Sequence, residues 1–171
     1  LDETRGPRPA SARALRRVAA ERHLRRFGRR SGCRVSVLRA PGIYDADARL
    51  PLARLRKGEP VLAPEDDVFT NHIHADDLAH LLALALFRGR PNRVYNASDD
   101  SQLRMGEYFD LVADAVGLPR PPRLPRAALS ERLSALTLSF MSESRRLDNG
   151  RIKRELRARL LFPCVADALA A

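Results

Sequence analysis

The sequence predicts an α/β fold with a parallel sheet, and three features lead there. A helix pattern over residues 11–30 passes through Gly32 into a β-branched run over 34–39, and an apolar helix pattern over 77–87 passes through Gly89 and Pro91 into a second strand over 93–97. Helix, glycine turn and buried strand in repeated alternation are the signature of layered α/β structure. Beyond Gly117, a proline-rich stretch and further helical segments predict a small lobe set off from that sheet.

Each element has a local cause. In the first helix Leu15, Val18, Ala19, Leu24 and Phe27 recur on one apolar face while arginines fill the other; Ser11 is placed to cap its start and Gly32 to end it. Pro41-Gly42 forces a turn directly after strand 34–39. A short helix is expected over 50–57, closed by Gly58, and a small hairpin from 61–62 and 68–69 around Pro64. The helix over 77–87 has aspartates at its start, where carboxylates complement the helix dipole. An amphipathic helix follows over 105–116, then an extended connector over 117–125, then helical stretches near 127–136 and 149–156. No internal repeat is visible.

Composition sets the class. The chain has 171 residues, 44% hydrophobic and 30% charged, enough for a real core. Its net charge of +10 is uneven: +11 over residues 1–57, −5 over 58–101 and +4 over 102–171. Of 31 basic residues 29 are arginine, a bias that can follow from base composition without selection for a polyanion, and with only 5% aromatic residues no stacking platform interleaves with the basic run. Nucleic acid is therefore not the expected partner. The longest apolar run, about 78–87, is far shorter than the roughly 20 residues a membrane span needs. Cys33 and Cys164 are far apart, form no C-x-x-C, and are expected as reduced, buried thiols in a cytoplasmic protein. The opening Leu1-Asp2-Glu3-Thr4 has neither an initiator methionine nor a signal pattern, and is expected to be the start of a segment cut from a longer chain.

Three motifs carry the functional expectation: Leu38-Arg39-Ala40-Pro41-Gly42-Ile43-Tyr44, then His72-Ile73-His74-Ala75-Asp76-Asp77-Leu78-Ala79, then Val94-Tyr95-Asn96-Ala97-Ser98. The histidine pair invites a metal-site reading, since residues i and i+2 on a strand share a face. A two-metal hydrolase would need a histidine at Asp77 and more downstream, and the only others are His23 and His80. The plainer reading is a strand running into an aspartate-capped helix, with no metal. In order and spacing the three motifs resemble the second half of the extended short-chain dehydrogenases/reductases, the family of the NAD-dependent sugar epimerases and dehydratases. The segment from Ser144-Arg145-Arg146 through Glu155-Leu156 to Phe162-Pro163 resembles that family's closing segment.

The resemblance implies the C-terminal portion of a doubly wound, Rossmann-like sheet, incomplete, with a small helical substrate lobe. Residues 1–44 and 71–98 would form the NAD(P)-binding part, and 45–70 with 99–171 the lobe. It implies NAD or NADP as cofactor, with Arg17, Ala40, Pro41, Gly42 and Ile43 against it, since ligands lie where parallel strands end and a Pro-Gly turn admits a planar ring. One departure is that the usual Tyr-Gly-Pro becomes Tyr44-Asp45-Ala46.

The family's Tyr-x-x-x-Lys pair is missing. Aligned on Ala20-Glu21, its two positions are held by Arg13 and Arg17; the only lysines, Lys57 and Lys153, follow Ala53 and Asn149 by four residues. A tyrosine activated by a neighbouring lysine exchanges protons near neutrality, whereas arginine stays protonated. The catalytic residues are thus unknown, as in atypical members of the superfamily. Arg17 either holds a ribose or pyrophosphate by charge or belongs with Arg13 to a solvated face. The expectation is a fragment of an atypical NAD(P)-binding, epimerase/dehydratase-like protein that acts on or senses a small substrate, with a non-catalytic cofactor-dependent regulator as alternative. Its partners would be the dinucleotide, a small molecule and a second copy in a homodimer, with no nucleic acid and no membrane.

Overall fold

The structure is a computed structural model that describes residues 1–45 and 48–171, leaving aside the side chain of Leu136. Helix α1 (Ala12–Ser31) begins where the Ser11 hydroxyl accepts from Ala14 N at 3.2 Å and ends at Gly32, whose φ of +75° suits glycine. Near its end Gly28 faces the next strand so closely that a Cβ would lie 2.8 Å from Val35 Cγ2. Glu21 accepts two 3.0 Å hydrogen bonds from Arg39, clamping α1 onto strand β1 (Ser36–Arg39).

Strand β2 (Gly42–Tyr44) follows at once, then α2 (Leu52–Arg56), β3 (Val61–Leu62), β4 (His72–His74), α3 (Ala75–Arg88), β5 (Arg93–Asn96), α4 (Met105–Ala115), β6 (Arg123–Leu124), α5 (Arg126–Leu129), α6 (Ala135–Met141), α7 (Gly150–Glu155) and α8 (Val165–Leu169). Among the described residues the ladders are β1–β5, β2–β4 and β3–β6, all parallel. Parallel neighbours cannot be joined by a tight turn, so a helix lies in every crossover.

Two cores result. Ile73, Leu81, Ala85, Tyr95 and Ala97 pack with Ile152, Leu156 and Ala158, so α7 lies against the strand layer. The second core gathers α4 with Leu55, Val61, Leu62, Leu129, Met141 and Val165. Asp77 is fully buried between the start of α3 and the C-terminal segment: Oδ1 accepts from Leu161 N at 2.7 Å and Oδ2 from Phe162 N at 3.0 Å.

Several expectations are corrected. The hairpin does not form: β3 pairs with β6 in the expected connector, which brings Leu124 against Leu62 in the core, and Phe69 bridges Arg104. The turn expected at Pro41-Gly42 is brief, and Gly42 already belongs to β2. Helix α3 starts two residues early with His74 as its cap, Nδ1 accepting from Asp76 N at 3.3 Å, which leaves Asp77 free to turn inward. The stretch 127–136 splits into α5 and α6 with Ser134 capping the second. Cys33 is exposed and Cys164 half-buried. Leu15, Leu24 and Phe27 stand in the open, more than half exposed, so much of the apolar face of α1 is uncovered among the described residues. The Ala46 departure lies outside the described residues.

Removing the Asp77 carboxylate would strand two N–H groups. Asp77→Ala should lower the unfolding free energy by about 2–4 kcal/mol, and Asp77→Asn, which keeps one acceptor oxygen, by less; urea melts followed by circular dichroism measure both.

Candidate functional site

Ligands of parallel sheets bind where the strands end. Here β1 ends at Arg39 and β5 at Asn96, paired in register, so Ala40-Pro41 and the segment 97–101 leave the sheet side by side. Beyond β5 lies a cleft of about 470 Å³ bordered by Asp99, Asp100, Gln102, Asp148, Asn149 and Lys153, among others. The Asn149 amide shapes its floor by donating to Ser98 O at 2.9 Å, Asp99 O at 3.1 Å and Asp100 Oδ1 at 2.7 Å. Lys153 Nζ grips both oxygens of Asp100, at 2.5 and 2.7 Å. Asn96 ties the chain start in: its N–H donates to Glu3 Oε1, and its amide donates to Leu1 O and Asp148 O.

Beneath lies a cluster of aromatic and titratable groups. Tyr44 and His74 are direct partners across β2 and β4, with His72 two residues back on the same face. His72 stacks on Tyr108 with ring centroids 4.1 Å apart, and Tyr44 meets the edge of His74 at 5.3 Å. Among the described residues Tyr44 Oη, His72 Nδ1 and Asp99 Oδ2 are buried without a hydrogen-bond partner. Burial pushes the His72 imidazole down to about 4. Burial likewise pushes the Asp99 carboxyl up to about 7, against the lowering effect of its hydrogen bonds from Ser101. The Tyr44 hydroxyl is raised by burial and by the nearby carboxylates of Asp99 and Asp77. Burial therefore favours the neutral forms of all three groups.

Arg13 is half-buried, its Cζ 4.0 Å from the centroid of the Phe140 ring on α6. Arg17, one turn on, is exposed and makes no hydrogen bond or ion pair among the described residues. Gly42 N donates to Asn71 O at 3.1 Å, and a Cβ there would meet that oxygen at 3.3 Å, so the glycine serves the close approach of β2 and β4. Ile43 packs on the core of Ile73. Ala40 and Pro41 stand at the end of β1, and no hydrogen bond joins Arg13 or Arg17 to residues 40–43. Among the described residues no group of three or more His, Cys, Asp or Glu is placed to hold a metal ion. The Asp99–His72–Tyr108 cluster escaped sequence reasoning; its one signal was the alternation of Tyr44, His72 and His74 on neighbouring strands.

The comparisons with known proteins accord with this architecture. A functionally unknown conserved protein from Silicibacter pomeroyi superposes with a TM-score of 0.85 at 32% identity, over 99% of this chain and 57% of that one. UDP-glucose 4-epimerase from Thermotoga maritima, solved with UDP-glucose, gives 0.75 at 20% identity over 99% and 54%. The fold is that of the NAD-dependent epimerases and dehydratases. DesIV, the dTDP-glucose 4,6-dehydratase of Streptomyces venezuelae solved with NAD, gives 0.71 at 22% over 99% and 52%. The chain thus spans little more than half the length of the proteins it matches. No family model matches it, and no curated protein matches it in sequence. Among the described residues no helix is long and apolar enough to cross a membrane.

The two neutral buried groups set opposing pH dependences. An unfolded histidine titrates near 6.5 and folded His72 only near 4, so its stabilising effect is complete above pH 6.5 and lost as pH falls towards 4. Asp99 goes from 3.8 unfolded to about 7 folded, so its effect is complete below pH 3.8 and lost as pH rises towards 7. Between pH 4 and 6.5 these slopes oppose each other. Asp99→Asn should expose a stability that climbs by about 3 kcal/mol across that window, and His72→Gln one that falls by about as much; urea midpoints measured against pH test both.

Proposed function

We propose that this chain supplies the carboxyl-terminal part of an atypical NAD(P)-binding protein of the epimerase/dehydratase type, which acts on or senses a small, nucleotide-sugar-like molecule. The observation that carries the proposal is the superposition of 99% of the chain on such proteins while covering only 52–54% of them. The residues present fit only part of a dinucleotide site. The strand ends at Ala40-Pro41 and Ala97 offer an open edge, yet the 171 residues contain no glycine-rich phosphate loop and no Tyr-x-x-x-Lys pair. No catalytic step is derived through the cofactor.

What the chain's own residues do is narrower. Arg17 is an unpaired cation available to a ribose or phosphate oxygen, and Arg13 replaces a proton-exchanging hydroxyl with a group that keeps its proton. That substitution favours a cofactor-dependent binder or regulator as strongly as an enzyme with unconventional residues. Residues 1–44 and 71–98 would face the dinucleotide, with 45–70 and 99–171 contributing the substrate side. The uncovered leucines of α1, with Leu86 and Phe87 at about 80% exposure on α3, suit a homodimer contact in a cytoplasmic protein.

The isolated 171-residue chain should bind NAD and NADP weakly, and micromolar saturation in calorimetry would contradict a site that needs more than these residues. Codons upstream of Leu1 should encode a strand followed by G-x-x-G-x-x-G. In that longer protein Arg17→Ala should weaken cofactor binding about tenfold, or about 1.4 kcal/mol, while Arg13→Ala changes it little. Unchanged affinity in Arg17→Ala would return both arginines to a solvated face.

A further inference from the structure

The three residues 99–101, just past β5, are a junction of the chain. Asp99 N donates to His72 O on β4 at 2.7 Å, and the Asp99 carbonyl accepts from Asn149 Nδ2, ahead of α7, at 3.1 Å. One residue on, Asp100 N donates to Pro163 O at 2.7 Å. The Ser101 hydroxyl accepts from Val165 N, the first residue of α8, at 3.0 Å, while Ser101 N donates to Asp99 Oδ1 at 2.9 Å. A single turn of chain thus ties β4, α7 and α8 together, with the Asp99 carboxyl group at its centre.

That group has one oxygen served and one not. Asp99 is 2% exposed, and its Oδ2 has no hydrogen-bond partner. Among the described residues no basic group pairs with it, and Lys153 on α7 is taken by both oxygens of Asp100. The carboxylates that act on it are Asp100 beside it and Asp77 at the start of α3. The other titratable groups around it are held neutral by burial: the Tyr44 hydroxyl on β2, the His72 imidazole on β4, the Tyr108 hydroxyl on α4 and the Cys164 thiol ahead of α8. Behind them stand His74, against the Tyr44 ring, and Asp167, which accepts from Cys164 N. Ionised, Asp99 is a bare charge among acids and neutral groups. Protonated, it gains a hydroxyl to donate, and Tyr44 Oη and His72 Nδ1 are buried acceptors that lack a partner.

We propose that the Asp99 carboxyl is a proton-operated latch: with its proton it holds the segment from Pro163 through α8 on the strand layer, and on ionising it lets that segment lift while the rest of the fold stays in place. A buried charge without a partner is costly, and the least expensive relief is to admit water under the lightest cover. Helix α4 is anchored by six buried residues and α8 by two, Val165 and Ala168. Lifting α8 gives up the Val165–Ser101 and Asp100–Pro163 bonds, whereas Leu161 and Phe162 stay on Asp77 and serve as the hinge. The released carboxyl titrates near 3.8 and the latched one near 7, so the latch is fully held below pH 3.8, weakens as pH rises, and changes no further above about 7. Global unfolding differs, because it also exposes His72, whose titration opposes this slope between pH 4 and 6.5; lifting α8 leaves His72 stacked on Tyr108. None of this rests on the cofactor reading.

Amide hydrogen exchange of the 171-residue chain, followed by NMR and divided at each pH by the intrinsic rate, reads the opening directly. From pH 5 to pH 6 the opening constant of the Asp100 and Val165 amides should rise about tenfold, and it should level off above about pH 7. The Leu161 and Phe162 amides and the β1–β5 ladder should show no such rise. Asp99→Asn, which is neutral at every pH and keeps an acceptor oxygen for Ser101 N, should remove the pH dependence. Asp114→Asn, which removes an exposed carboxylate paired with Arg120, should leave it as it is. Infrared difference spectra of the unsubstituted chain need no variant: the band of a protonated carboxyl group should be present at pH 5 and vanish with a midpoint near 7. A flat exchange profile, a rise that persists in Asp99→Asn, an equal rise at Leu161 and Phe162, or absence of the carboxyl band would each overturn the proposal.

Discussion

The buried carboxylate of Asp77 is the constraint on which the arrangement of this chain depends. An ionisable group with no exposed surface must be compensated on the spot, and here the compensation comes from a segment more than 80 residues away, through the N–H groups of Leu161 and Phe162. Because those donors lie just past α7, fixing them also fixes Ile152 and Leu156 against Tyr95 and Ala97, and places Phe162 with its ring centroid 4.2 Å from that of His74. One side chain at the start of α3 therefore joins the strand layer to the C-terminal segment. Asp77 meets the requirement because His74 has taken over the capping role that an aspartate would otherwise fill.

The two clefts flanking the chain start show how charge divides the surface. Near β5 the carboxylate of Asp100 is balanced by Lys153 and that of Asp148 accepts from Gly150 N, whereas in the cleft around Phe69, lined by Arg5, Arg145 and Arg146, the positive groups outnumber any acid. Arginine suits both settings, since it pairs bidentately where a carboxylate is present and stacks on an aromatic ring where none is. The surplus of positive charge over the first third of the sequence is thus spread over different roles: Arg39 clamps α1, Arg13 rests on Phe140, and Arg5 stays unpaired.

The helices and the two principal strands were legible because their signals are local. Ser11 and Gly32 bracket α1, and short runs of β-branched, aliphatic and aromatic residues mark β1 and β5. What stayed hidden depends on partners distant in sequence. Leu62 finds Leu124 across 62 residues, so a hairpin with Phe69 is the natural local guess and the wrong one. The apolar stripe of α1 was visible, but whether anything covers it is not written in the helix itself. The environment of Asp99 was equally illegible, since an Asp-Asp pair after a strand looks like a solvated turn until α4 and α8 close over it. The absence of the proton-exchanging pair needed only the sequence, since two lysines can be checked one by one.

The topology has a further consequence, for the order in which the chain assembles. Among the described residues every strand pairs in parallel with one that lies beyond a helix and no hairpin offers a cheap first contact, so loop closure over dozens of residues must precede each ladder. Helices α1, α3 and α4 can form early from local signals, while β1 waits for β5 and β3 waits for β6. Such a chain belongs among the slow folders of its size. During that wait its apolar strands are exposed to other chains, which makes its yield on refolding a matter of concentration as much as of final stability.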